Sequence, residues 1–353
     1  MSKCQAFFSP DQLLHDPQQF MRVGRIHKPA DVPARAEALK QALAAHGVVM
    51  QEPEDFGRAP LEKVHAPHYL DYLATAFEQW QELSRPGVTP GIEVLPNLSP
   101  YYGGRLGQRR PACPSPSPIA RTGYYIGDLS SPMGAKTWTS ILRSAHSAYA
   151  AAEAVTRSTG IAYALCRPSG HHAHYDRASG FCYVNNSAIA AECLRERFGR
   201  VAVLDIDAHH GDGTQNIFYE SNEVLTISIH GDPTDYFPFY TGYERERGHG
   251  MGEGFNLNLP LPHGSGNEGF LAALDRALRA LDDFRPAALV VPLGFDTYKD
   301  DPISVLRLDF EAYHVVGKRV SALGLPTVIV QEGGYMVEAL GPGLAALMKG
   351  LAA

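Results

Sequence analysis

The stretch that most constrains the fold is 201–214, VAVLDIDAHHGDGT, an apolar run that stops abruptly in carboxylates, imidazoles and glycines. Five of its first six residues are apolar, the run is too short for a helix, and β-branched side chains are frequent, so it reads as a strand buried on both faces. Such a strand needs helices on both sides of its sheet. Side chains alternate along a strand, so Asp205, Asp207 and His209 leave the sheet on one side. An aspartate and a histidine two apart, completed by a third ligand from elsewhere, suit a metal site with an open position. Two aspartates and two histidines within six positions would be costly to bury without a cation or one another. Gly211 and Gly213 then permit a sharp turn.

The rest of the chain alternates in the same style. Helical spacing over 34–46 stops at Gly47 and is followed by VVM, and a second helix begins near His65. A helix from Thr139 precedes the strand IAYALC, and FCYVNN leads into the helix SAIAAECLRERF. VLTISIH, ALVVPLGFD and PTVIVQEGGY read as strands, with the helices EGFLAALDRALRALDDF and DFEAYHVVGKRVSALG between them, while 232–254 reads as a long, partly aromatic loop. This predicts one α/β domain over 1–353, with a mainly parallel sheet covered on both faces. Four polar motifs follow four of the strands: Gly170-His171-His172, 205–212, Gly294-Phe295-Asp296 and Glu332-Gly333-Gly334-Tyr335. Ligands of open parallel sheets bind beyond the carboxyl ends of the strands, so all four should converge. Asp296 is the natural third metal ligand, and His171 and His172 supply acid–base chemistry near neutrality. Asp205 and Asp212 are the carboxylates available to orient them, and Tyr335 can reach a developing oxyanion.

Composition narrows the partners. A net charge of −7 over 353 residues argues against a nucleic-acid surface, and no apolar run is long enough to span a bilayer. The five cysteines are odd in number and lack a CxxC pair, which fits a reducing, cytoplasmic setting. The segment 86–118 is different in kind, with eight prolines, Arg105, Arg109 and Arg110, and Glu93 as its only acid. It reads as an inserted loop at a rim or a subunit contact.

RPSGHHA, SGFCYVNN, LDIDAHHGDGT, SIHGDP, LGFDTYKDDP and QEGGY together resemble the zinc-dependent histone deacetylase superfamily, especially its bacterial acetylpolyamine amidohydrolases. The resemblance runs from about Gly123 onward and implies an arginase-like fold and hydrolysis of acyl amines. It implies zinc on Asp207, His209 and Asp296, with His172 as general base and then acid. His171 becomes its electrostatic partner, Asp205 pairs with His171, Asp212 pairs with His172, and Tyr335 polarises the carbonyl. Gly180, Phe181 and Phe237 match the family's narrow acyl-amine channel. Asp205, Asp207, His209, Ser228 and Ile229 match a structural monovalent-cation site, usually potassium, and the inserted loop matches a homodimer contact. Polyamine-specific relatives generally carry an acid shortly before GYY, where this chain has Ile119-Ala120-Arg121, and FMRVGRIHK from Phe20 is also basic.

The same resemblance admits a protein acetyl-lysine deacylase. A manganese ureohydrolase shares the fold but needs a second Asp-x-Asp pair, and Asp296 is followed here by Thr297 and Tyr298. A non-catalytic binding module would be expected to have lost a ligand, His172 or Tyr335, and all are present. No GxSxG elbow, P-loop or dinucleotide fingerprint appears.

Overall fold

The computed structural model describes residues 4–22, 24–83, 89–96, 109–157 and 160–353. Its strands are β1 (Gln5–Phe7), β2 (Phe20–Arg22), β3 (Arg25–His27), β4 (Val49–Gln51), β5 (Ile161–Ala164), β6 (Val201–Asp205), β7 (Val224–Gly231), β8 (Asn256–Leu261), β9 (Ala288–Leu293) and β10 (Thr327–Gln331). β2 and β3 form an antiparallel hairpin. The other eight make one sheet in the order β4-β1-β5-β10-β9-β6-β7-β8, parallel throughout.

The apolar character of the central strands has a direct cause. Val201 and Val203 of β6 face one buried cluster, which includes Ala145, Ala148 and Ile189 from the helices Thr137–Arg157 and Asn186–Phe198. Ala202 and Leu204 face a second cluster, with Leu274 of the helix Asn267–Phe284 and Val316 of the helix Phe310–Ala322. Both faces are covered, so neither register of side chains can be polar. β5 and β6, successive strands of this sheet in the chain, lie on opposite sides of β10 and β9. Loops leaving the sheet there diverge and open a crevice at its carboxyl edge.

Three elements carry no clear periodic signal: β1, which has three residues, β8, and the helix Val337–Leu351, which encloses Pro342. β8 alternates its leucines with Asn256 and Asn258, whose buried amides donate to Gln215 Oε1 at 2.9 Å each, so a polar-looking strand is satisfied internally. The loop 232–254 is tied down by Glu246, whose Oε2 accepts from Gln215 at 2.8 Å and from the Gly242 amide at 2.9 Å. Within the inserted segment, 86–88 and 97–108 lie outside the described residues, and with them most of the expected subunit contact. Its described flanks are docked: Val94 bridges to Met133, and Arg110 Nε donates to Asp176 Oδ2 at 2.8 Å. The helix Pro118–Tyr125 closes the segment, and there Arg121 donates to Gln79 at 2.6 Å, which directs its charge toward the helix Pro67–Gln81.

Asn185 joins local and long-range order. Its Oδ1 caps the helix Asn186–Phe198 by accepting from Ala188 N at 2.8 Å, and its Nδ2 donates to Ala173 O and Thr214 Oγ1, each at 3.1 Å. Asn185→Ala should cost about 2–3 kcal/mol, a lost cap plus stranded buried acceptors, whereas Asp309→Ala at an exposed cap should cost about 1 kcal/mol. Urea unfolding of the two variants measures the difference. His65 is likewise structural, accepting from Asn185 N at 2.8 Å through Nε2 and donating through Nδ1 to His174 O at 3.0 Å. Burial pushes His65 and His230 down to about 4 and His15 to about 3. Because the unfolded chain binds these protons near pH 6.5, stability is full above that pH and is lost as pH falls toward 4. Buried Glu332, raised to about 7, acts in the opposite sense with one proton. Denaturation midpoints should therefore fall between pH 6.5 and 4.

Candidate active site

The four motifs leave β5, β10, β9 and β6, which are adjacent in the sheet. Their side chains do converge. Asp207, His209 and Asp296 present one ligand atom each, all within 4.8 Å of one another, and are the only such group among the described residues. His209 Nδ1 lies 3.2 Å from Asp207 Oδ1 and 3.1 Å from Asp296 Oδ2. Main-chain amides fix the carboxylates: Gly333 N donates to Asp207 Oδ2 at 2.9 Å and Ala208 N to Asp296 Oδ1 at 3.0 Å. A Cβ on Gly294 would stand 2.1 Å from Asp207 Oδ2, and one on Gly333 2.2 Å from Asp296 Oδ2. The two glycines thus keep a cradle open between the carboxylates.

Charge in this cradle is unbalanced. Burial, and then the neighbouring Asp207, push Asp296 up to about 7. Burial opposes a charge on His209, yet its contacts with Asp207 and Asp296 outweigh that and hold it up to about 9. A buried oxygen, nitrogen and oxygen set that seeks positive charge fits a divalent cation with one position left for water.

Beside it the two histidines are driven apart. His171 Nδ1 lies 3.0 Å from Asp205 Oδ2, and His172 Nδ1 lies 2.7 Å from Asp212 Oδ1. Burial works against a charged His171, but Asp207, Asp205 and Glu332 together hold its pKa well above 6.5. His172 is pushed down to about 4, first by burial and then by the charge on His171, against the pull of Asp212. The surroundings thus favour the protonated form of His171 and the neutral form of His172. Opposed environments of this sort assign acid–base roles.

Tyr335 follows the glycine pair, and burial keeps its phenol protonated against the opposing pull of Arg35. The Arg35 guanidinium sits 4.7 Å from the Tyr335 ring centroid and donates to the carbonyls of Gly334 at 2.5 Å and Glu332 at 2.7 Å. Asp301 Oδ2 accepts from the amides of Tyr335 at 2.6 Å and Met336 at 3.0 Å. The sequence gives no local sign that Arg35 acts here. Asp301 and Glu332 do stand inside recognisable motifs, LGFDTYKDDP and QEGGY. Glu332 Oε2 accepts from the amides of Gly170 at 2.7 Å and His171 at 3.1 Å, joining the histidine turn to the end of β10.

The expected channel residues also assemble. Phe181 and Phe237 are half-buried, which places them on a wall and outside the packed core. The Phe237 ring meets His172 edge-on at 4.9 Å, and Phe181 meets Tyr335 at 5.7 Å and Phe20 of the hairpin at 5.6 Å. Gly180 has φ 55°, and a Cβ there would come within 2.5 Å of His172 Cδ2 and 2.9 Å of Phe237. Of the expected cation ligands, Ser228 is the register partner of Asp205 across β6 and β7, and both line a small cavity. The Ile229 side chain is in the core, so only its main-chain oxygen is available to an ion.

Comparison with known proteins identifies the family and the fold. Residues 29–351 match the histone deacetylase domain family. The chain is 46% identical over 334 residues to an acetylpolyamine amidohydrolase of Burkholderia pseudomallei, covering 95% of this chain and 94% of that one. It is 41% identical to acetylpolyamine amidohydrolase 1 of Pseudomonas aeruginosa, covering 97% of each. Superposition on a crystal structure of the Burkholderia pseudomallei acetylpolyamine aminohydrolase gives a TM-score of 0.92 at 45% identity, covering 99% of each chain. The HD domain of HDA15 shares the fold at a TM-score of 0.78 and 23% identity, covering 99% of this chain and 89% of that one. The chain belongs to the histone deacetylase family.

Proposed function

We propose that this chain is a zinc-dependent amidohydrolase that removes an acetyl or other small acyl group from an amine, with acylated small amines as its substrate class. The observation that carries this is the pairing of His171 with Asp205 and of His172 with Asp212 beside the Asp207, His209 and Asp296 cradle. The amidohydrolase names of relatives covering nearly the whole chain support the choice of amine substrates. Zinc in that cradle would supply Lewis acidity to the attacking water and the amide carbonyl.

The chain's own groups supply the remainder. His172, its Nδ1–H donated to Asp212, offers Nε2 as the base that takes a proton from water and later returns it to the departing amine. His171 stays protonated and balances the negative charge beside it. The Tyr335 hydroxyl donates to the carbonyl oxygen as charge develops there, its main chain held by Asp301 and its ring faced by Arg35. Phe181 and Phe237 confine an extended acyl amine between them. A ureohydrolase reading is disfavoured because Tyr298, where a second carboxylate would be needed, is stacked on Phe310 at 4.7 Å.

The monovalent-cation site on Asp205, Asp207, His209, Ser228 and Ile229 belongs to the same proposal, and potassium is its occupant. So does a homodimer formed through the inserted segment. All five cysteines are free, which supports a reducing, cytoplasmic setting. No helix among the described residues is long and apolar enough to cross a membrane.

Elemental analysis of protein purified without added metal should find one zinc per chain. Gly333→Ala should lower that occupancy sharply and raise sensitivity to chelators, because the new methyl would press on the Asp296 carboxylate. Tyr335→Phe should keep its zinc and lose roughly two to three orders of magnitude in kcat, the scale for one oxyanion donor, and His172→Ala should lose at least as much. Near-normal turnover by either variant rejects the assigned roles. The substrate class is checked by comparing kcat/KM for N-acetylputrescine and N-acetylcadaverine with acetyl-lysine peptides. A preference for the peptides would move the reading to a protein deacylase.

A further inference from the structure

The sequence motifs give each catalytic histidine one carboxylate, but the structure gives Asp212 two imidazoles. Its Oδ1 lies 2.7 Å from His172 Nδ1, and its Oδ2 lies 2.7 Å from Nε2 of His174. His174 reaches this position because the chain after His172 doubles back, with the His174 amide donating to Arg177 O at 2.9 Å. Its side chain is only 12% exposed, and the Arg177 guanidinium rests against it, 3.0 Å from Nε2 and 3.3 Å from Nδ1. Asp212 opens the helix Asp212–Phe218, which fixes its main chain, and the two imidazoles hold its carboxylate.

We propose that His174 is a positioning residue for deacylation, clamping the second oxygen of Asp212 so that the first stays on His172 Nδ1. The inference rests on the amidohydrolase reading of the site. A carboxylate held from one side swings about its own bond, whereas N–H donors on both oxygens fix its plane. The fixed plane holds His172 in the Nδ1–H tautomer, the one that leaves Nε2 able to accept a proton. His174 plays this part as an Nε2–H donor to Asp212 Oδ2. Burial first, and then the charge on Arg177, lower its pKa and keep it neutral, against the opposing pull of Asp212 and Asp176. Nothing about His174 requires contact with substrate or metal.

Two variants separate positioning from packing. His174→Phe keeps a ring of similar size without the N–H, and His174→Gln restores a donor at similar reach. In zinc-loaded enzyme acting on an N-acetylated diamine, His174→Phe should lose about tenfold or more in kcat with KM changed less than about twofold, the scale for an outer-shell partner, and His174→Gln should recover to within about threefold. In an Asp212→Ala background the phenylalanine should cost nothing further, since the link it breaks is already gone. Unchanged kcat in His174→Phe, or an undiminished loss in the Asp212→Ala background, overturns the proposal. Nitrogen-15 imidazole NMR of the zinc-loaded protein decides the matter independently of turnover. The His172 Nδ1 proton should be sharp in the wild type and His174→Gln and exchange-broadened in His174→Phe, and equal sharpness in all three also overturns it. If the wild type hydrolyses no acetylated amine, the functional reading fails, while the NMR comparison still tests the clamp.

Discussion

The structure depends on keeping negative charge buried at one edge of its sheet. Asp205, Asp207, Asp212, Asp296 and Glu332 are each less than a tenth exposed. Burying unpaired carboxylates costs several kcal/mol apiece, so each must find donors or cations. Main-chain amides at the strand ends supply part of the answer, through Gly333 to Asp207, Ala208 to Asp296, and Gly170 and His171 to Glu332. The cation on His171 supplies another part, and the cradle between the carboxylates is shaped for the last. These contacts tie the strand ends to one another. Moving the histidine turn strips Glu332 of its amides, and moving the glycine pair after β10 strips Asp207.

Much of this was legible in the chain, and the boundary of what was legible has a physical meaning. β6, β9 and β10 announce themselves because both faces of a central parallel strand are buried, which leaves an uninterrupted apolar run. Asp207, His209, Asp296, His171, His172 and Tyr335 stand where such runs stop, and the geometry brings all of them together. The supporting residues are not legible in this way. Arg35 meets Gly334 across 299 residues, and no local period records such a contact. His174 and Asp301 are of the right chemical type, but their partners lie 38 and 34 residues away. Arg109, Arg110 and Arg121 lie on Tyr175, Asp176 and Gln79, contacts that composition alone does not record.

The hairpin β2–β3 shows how the entrance is built from distant pieces. Phe20 packs on Phe181, while Arg22 and Arg25 remain exposed at the hairpin's turn. The wall of the proposed channel would therefore be shared by the hairpin, the turn that carries Gly180 and the 232–254 loop. Glu246 pins that loop to the helix Asp212–Phe218, so the aromatic side of the channel and the acid–base side share an anchor.

The cradle of Asp207, His209 and Asp296 has a consequence for how the molecule matures. His209 meets Asp296 across 87 residues, and Asp207 meets the Gly333 amide across 126. During synthesis, then, the pocket cannot exist until β6, β9 and β10 have all left the ribosome and docked side by side. Contacts of such long range form late in folding, after chain closure has been achieved. A metal ion held by this cradle would thus meet three strands already docked side by side, so its binding would follow the closing of the sheet.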